Sequence, residues 1–405
     1  MKQLFGIGLA LALAPSVAAA PRAKAPALPA PPPAPYAGIY QPTGVDEIGL
    51  WREDDERERA LANSPLVIRD EALNAYVRGV LCSTIGDDRC KGVRTYIVRV
   101  PVFNASMSPN GTMRIYSGLL LRTRSEAELA SVLGHEFGHF EKRHTLQQFK
   151  ASRSGTDMLS WAAVLTSMAG TAQAAQSFNS LQLSVLGGLS RFGRDQEREA
   201  DLLGLGYLNA STLRPHSASG VWRNLILEQE ASAGARGLRK PDFDHVAFFA
   251  SHPASGERAD YLYGLAAPDG ASRDDGATRY AAAMSPWLPQ FLDDQIKLND
   301  FGGSDFIINH LGEAGWTASL WRARGDLFRN RGHQRDLMNA AEFYAKAVAL
   351  DPRLPEAQRG LGLSLVKTGR ASEGRAALQR YLELKPDASD AAMIGMTITS
   401  IGAMQ

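Results

Sequence analysis

Three of the chain's eight histidines fall within ten positions. They lie in "LGHEFGHFEKRH", Leu133 to His144, where His135, Glu136 and His139 have the spacing H-E-x-x-H. On an α-helix each residue turns about 100°, so positions i and i+4 lie about 40° apart. His135 and His139 can therefore offer two imidazoles to one metal ion. Glu136 sits beside them, placed to take a proton from a water that the ion activates. The donor types suit Zn2+, one per subunit, which lowers the pKa of its water to about 7 and so provides a nucleophile at neutral pH. Three unrelated helix residues are the plainer reading, but chance gives this pattern on the order of once per hundred such chains.

A third protein ligand is needed. His144 lies five residues beyond His139. On a continuous helix that is about 140° further round, so His144 is expected to point away as a solvated residue near the helix end. The metzincin pattern requires Gly three residues after the second His and His six after. Lys142 and Thr145 stand there, which excludes that class. A distant carboxylate must serve, and "QEREAD", Gln196 to Asp201, supplies candidates. Glu197 and Asp201 are i and i+4, on one face, whereas Glu199 is about 200° from Glu197 on the opposite face. Glu197 is the better ligand. Asp201, one turn on, can accept a hydrogen bond from the far nitrogen of a ligating His and fix its tautomer. An acidic surface face is the alternative, but the adjoining "ADLLGLGYL" is apolar and implies partial burial.

The elements that carry these residues are legible from periodicity. "SEAELASVLGHEFGHFEKRHTLQQF" predicts one long helix, started by Ser125 with Glu128 in capping-box spacing. "RTYIVRVPVF" and "TMRIYSG" predict strands, with "SPNG", Ser108 to Gly111, as a turn. Two amphipathic helices precede them, "DEIGLWREDDERERALANS" and "DEALNAYVRGVLCSTI". Met158 to Ser190 contains no charged residue. Gln173, Gln176, Asn179 and Gln182 interrupt it, so small-residue helices packed against or covering the site are expected rather than a membrane span. Cys82 and Cys90 predict a disulfide around "STIGDDR", worth about 2–3 kcal/mol in the chain-entropy model, with two reduced thiols as the alternative.

Composition and termini set the wider frame. Lys+Arg total 44 against 43 Asp+Glu, and no long basic run occurs, so no nucleic-acid partner is expected. Lys2, the apolar "LFGIGLALALAP" and the small residues of "SVAAAP" read as an export signal over 1–20, with an uncleaved anchor as the alternative. Residues 21–45 form a Pro/Ala-rich linker. Near the other end, "AVALDP" and "YLELKP" end at Pro352 and Pro386, 34 residues apart. Gly362, Gly369, Ala376 and Tyr381 then fall where the tetratricopeptide pattern places small and aromatic residues. An ordinary helical bundle is the alternative.

"HEFGH" followed by "EREAD" resembles the gluzincin peptidases that include HtpX and the CAAX prenyl proteases, over roughly Asp46 to Leu265. The resemblance implies that His135, His139 and Glu197 are metal ligands, that Asp201 supports them, and that Glu136 is the base. It extends to "HPASGER", where His252 and Arg258 match an H-P-x-x-x-x-R element. Their implied role is to stabilise an oxyanion, or, for His252, to latch the metal at rest. The segment "NASMSPNGTMRIYSGLLL" is similar to the family's hairpin, whose edge strand can bind an extended substrate. The export signal and the repeats narrow the resemblance to the periplasmic BepA-like branch.

The expected fold is α+β and mostly helical. A zincin-type metalloprotease domain with a small β-hairpin or sheet spans 46–267, connecting helices span 268–316, and an all-α tetratricopeptide-repeat domain spans 317–405. The expected function is a zinc endopeptidase of the cell envelope acting on misfolded or stalled proteins. A repeat-bound envelope partner is expected, and peripheral membrane association is left open. The competing reading is a chaperone or assembly adaptor with a latent metal site. An aminopeptidase is disfavoured, because its third Glu usually lies much closer to the second His than 58 residues.

Overall fold

The computed structural model describes residues 41–169, 171–241 and 256–403. The export signal, most of the linker and His252 lie outside the described residues. The first helices are α1 (Val45–Ala62), α2 (Glu71–Ile85) and the short α3 (Asp87–Cys90). Cys82 and Cys90 form a disulfide that ties α2 to α3. Three strands follow, β1 (Arg94–Val98), β2 (Ala105–Met107) and β3 (Thr112–Tyr116), in the order β1-β3-β2. β2 and β3 are antiparallel across the Ser108–Gly111 turn, while β1 runs parallel to β3. Gly111 has φ 88°, and a Cβ there would lie 2.4 Å from the Gly92 carbonyl oxygen, so the turn requires glycine. β1 is shorter than its apolar run suggests. Beyond Val98 the chain turns away to bond Leu66 and Gly118 instead of a strand, and Pro101 lacks a donor.

After α4 (Ser117–Arg122) comes α5 (Glu126–Glu141), which carries the H-E-x-x-H residues. The Ser125 hydroxyl accepts the Glu128 N–H at 3.1 Å, as the capping spacing predicts. The return bond is offset by one residue, since the Glu128 carboxylate accepts the N–H of Arg124 at 2.7 Å. The expected single long helix is in fact two. Arg143 takes a left-handed φ of 56°, ending α5, and α6 (His144–Ala169) starts in a new direction. The Gln147 side chain donates to the Lys142 carbonyl at 2.7 Å, satisfying one of the acceptors the break exposes.

α7 (Ala172–Ala210) runs back along α6 and α5. Its packing on α5 is glycine-mediated. A Cβ on Gly204 would lie 2.7 Å from the His135 backbone nitrogen, and one on Gly138 would lie 3.1 Å from the Ala200 carbonyl oxygen. Backbone therefore meets backbone with no side chain between. The charge-free stretch Met158–Ser190 forms the facing ends of α6 and α7. Trp161 and Met168 are exposed there, and none of its described residues lines the two cavities beside His135. Among the described residues no helix is long and apolar enough to cross a membrane.

α8 (Ser217–Ala235) and α9 (Gly256–Leu265) complete the walls of the site. A short 3-10 turn (Pro268–Ser272) leads to α10 (Ala277–Met284), α11 (Leu288–Ile296) and α12 (Phe301–Gly312). One buried apolar cluster runs from Ile68 through these helices to Tyr344. The remaining helices are α13 (Ala318–Arg331), α14 (Gln334–Leu350), α15 (Pro355–Lys367), α16 (Ala371–Leu384) and α17 (Ala391–Ala403). α13 packs on α14 and α15 on α16. The second helix of each pair ends at Leu350 and Leu384, in the 34-residue register of the sequence. The small packing residue of the second pair is Gly374, where a Cβ would lie 2.8 Å from the Gly362 carbonyl oxygen; Ala376 is exposed instead.

The glycine contact generates a paired test. Gly204→Ala should lower unfolding stability by about 1–3 kcal/mol through overpacking and weaken metal binding with it. Gly206→Ala, on the same helix with open space around its Cβ, should be neutral or stabilising by up to about 1 kcal/mol. Denaturant unfolding of both variants reads the difference.

Candidate metal centre and active site

The close approach of α5 and α7 sets one turn of each helix against the other. His135 Nε2 and His139 Nε2 are 3.1 Å apart. The Glu197 carboxylate faces both, with Oε2 3.5 Å from His135 Nε2 and Oε1 3.3 Å from His139 Nε2. Four donors held tetrahedrally about 2.0–2.1 Å from a zinc ion must stand about 3.3–3.4 Å from one another. The spacing and chemistry of these three donors fit that ion. The three residues are the one such metal-capable group among the described residues.

Asp201 lies one turn beyond Glu197, and its Oδ1 is 2.8 Å from His135 Nδ1. A carboxylate at Nδ1 places the imidazole proton there and leaves the Nε2 lone pair facing the other donors. Burial lowers the His135 pKa, which keeps the ring neutral as a metal ligand must be, although Asp201 pulls in the opposite direction. Burial alone would raise the Asp201 carboxyl. Arg258 and His135 outweigh it and hold the group well below the usual carboxylate range.

Arg258 is itself buried. Its Nε and Nη2 each donate to Asp201 at 2.6 Å, and its Nη1 is 3.3 Å from Glu197 Oε2. The guanidinium lies over the Trp222 ring at 3.7 Å from the centroid, a cation–π contact that closes its other face. The Tyr261 hydroxyl also donates to Asp201. Burial and that carboxylate raise the phenol pKa, so it stays a donor. Trp222 and Tyr261 were not signalled by any motif. An aromatic on an amphipathic helix reads equally well as core.

Glu136 is buried. It lines a cavity with Phe103, Asn104, Ala105, Val132, His135 and Trp222. Ala105 opens β2, an edge strand of the sheet, so the cavity borders an edge that can pair with an extended chain.

His144 departs from its expectation. It is buried rather than solvated, and its Nδ1 is 2.8 Å from His139 Nδ1. Its Nε2 is 3.2 Å from Glu199 Oε2, and Glu199 Oε1 is 2.7 Å from Lys142 Nζ. The cause is the break at Arg143. The 140° offset holds only for an unbroken helix, and a left-handed residue between the two histidines swings the second back toward the first. Glu199, two residues from Glu197, reaches His144 and Lys142, while Glu197 faces the two ligand imidazoles.

The buried charges give a prediction. Arg258→Met should cost about 3–5 kcal/mol in the metal-free protein, because Asp201 is then buried without its counter-charge. Adding Asp201→Asn should recover part of that loss, and a double-mutant cycle of unfolding free energies measures the coupling.

Comparison with known proteins agrees with the geometry. Residues 68–266 match the model of peptidase family M48. Mitochondrial metalloendopeptidase OMA1 of Schizosaccharomyces pombe is 28% identical over 163 residues, which is 40% of this chain and 43% of that one. A putative beta-barrel assembly-enhancing protease of Vibrio cholerae is 29% identical over 160 residues, 38% of this chain and 33% of that one. Metalloprotease LoiP of Escherichia coli is 31% identical over 174 residues, 41% of this chain and 60% of that one. The match thus spans less than half the length of the first two relatives and under two thirds of the third. Residues 68–266, which contain every candidate ligand described above, are thus the part of the chain that is similar to peptidase family M48.

Proposed function

We propose that the chain is a zinc-dependent endopeptidase. The observation that carries this reading is the set of three donors at tetrahedral spacing, with Glu136 beside them in a cavity bordered by an edge strand. Zinc held by His135, His139 and Glu197 would supply Lewis acidity, polarising the scissile carbonyl and acidifying water near neutral pH.

The chain's own residues do the rest. Glu136 takes the proton of the attacking water and passes it to the departing amide nitrogen, as general base and then general acid. The outer edge of β2 aligns an extended substrate by backbone hydrogen bonds and leaves chain on both sides of the scissile bond. That geometry suits internal cleavage better than removal of a terminal residue. Asp201 holds His135 in the tautomer that presents Nε2. Arg258 supplies the fixed positive charge beside the carboxylates and, through it, favours an oxyanion. His252 is proposed to share that role, or to latch the metal at rest.

The proposed setting is the periplasm of a bacterial-type cell envelope, and the proposed substrates are misfolded or stalled envelope proteins. The export signal read in the sequence supports it, as does the Cys82–Cys90 disulfide, which suits an oxidising compartment. The Vibrio cholerae relative, a putative beta-barrel assembly-enhancing protease, supports the same setting. The helix pairs α13–α14 and α15–α16 are the proposed tetratricopeptide-type surface that docks a substrate or an envelope partner.

Glu136→Gln separates binding from chemistry. The variant should hold one zinc per chain, as wild type does, and lose casein cleavage by at least about 100-fold. Cleavage at the wild-type rate would show that Glu136 is not the base.

A further inference from the structure

We propose that His144 and Glu199 are positioning residues for the metal ligand His139, forming a second brace opposite the one Asp201 applies to His135. The proposal rests on the metal-site reading above. It also explains a residue that the helical spacing had set aside.

The two ligand rings are oriented alike. Both point Nε2 at the shared donor centre, so both have Nδ1 available for a second partner. His135 gives its Nδ1 to Asp201 at 2.8 Å, and His139 gives its Nδ1 to His144 at 2.8 Å. Proton bookkeeping along the second path closes without conflict. If His139 keeps its Nε2 lone pair toward a metal, its proton sits on Nδ1 and is donated to His144 Nδ1. His144 must then carry its own proton on Nε2, and that atom faces Glu199 Oε2 at 3.2 Å. Glu199 ends the path by accepting from Lys142 Nζ at 2.7 Å. Every donor meets an acceptor in one direction only.

The backbone is built to hold this path. The left-handed turn at Arg143 delivers His144 to the ring of His139, which it meets edge-on, 75° between planes. The Gln196 side chain on α7 donates to the His144 carbonyl at 3.3 Å, and the Gln147 side chain holds the preceding carbonyl of Lys142. His144 is only 3% exposed. The two braces differ in where they end. Asp201 ends on buried Arg258, whereas the His144 path ends on the half-exposed Glu199 and Lys142. The second brace can therefore be cut at its outer end without opening the core.

The test measures zinc affinity of the full chain by chelator competition, together with the visible spectrum of the cobalt-substituted protein. His144→Ala should weaken zinc binding by about 10–100-fold and change the cobalt bands, because His139 is no longer held in one tautomer and orientation. His144→Asn, whose amide oxygen can accept from His139 Nδ1, should restore most of both. Glu199→Ala, at a half-exposed position that does not threaten folding, should weaken binding by about 3–10-fold and carries the test if His144→Ala fails to fold. Unchanged zinc affinity and cobalt spectrum in Glu199→Ala and in a folded His144→Ala would overturn the proposal. Wild type that binds zinc but cleaves no casein would count against the peptidase reading alone, and the variant affinities would still decide this one.

Discussion

Everything chemical in this molecule depends on how closely α5 approaches α7. Two histidines on one helix and one carboxylate on another can share an ion only if the backbones stand nearly in contact. Gly138 and Gly204 permit that contact, since each faces the partner helix where a Cβ would collide with main-chain atoms. The i, i+4 spacing on both helices then does the rest. His135 and His139 face α7, Glu197 and Asp201 face α5, and four polar groups converge within a buried volume.

Such convergence is costly unless the charges are paired. The pairing here is arranged in two layers. Arg258 lies between Glu197 and Asp201, with its flat face covered by Trp222, and neutralises the buried Asp201 carboxylate. Buried ion pairs add little net stability, because desolvation offsets their attraction. Their effect here is to fix geometry: the acidic and basic partners hold each other, and through Asp201 they hold His135. His139 has His144 at its Nδ1, linked onward to the half-exposed Glu199.

The core of this site was legible in the sequence because it obeys helical periodicity. The H-E-x-x-H spacing, the Glu197–Asp201 pair and the Ser125 cap are all local patterns with one geometric consequence each. The surrounding features were not legible, for physical reasons. A left-handed Arg143 carries no Gly, Asn or Pro signature, so the helix pattern runs straight through the break and misdirects His144. The parallel pairing of β1 with β3 is a long-range choice that alternation within a strand does not encode. Trp222 and Tyr261 acquire their roles only from a guanidinium and a carboxylate brought from distant segments. In the last helices, two small residues two positions apart differ in burial, and the period alone did not distinguish Gly374 from Ala376.

The central claim is that two imidazoles of α5 and one carboxylate of α7 form a single zinc site. Zinc K-edge X-ray absorption of the protein loaded with one equivalent tests it most directly. The predicted spectrum is four-coordinate, with only nitrogen and oxygen at about 2.0–2.1 Å, imidazole scattering from two rings, and a changed first shell in Glu197→Ala. A sulfur shell, a six-coordinate ion, or a spectrum that Glu197→Ala leaves unaltered would contradict the account.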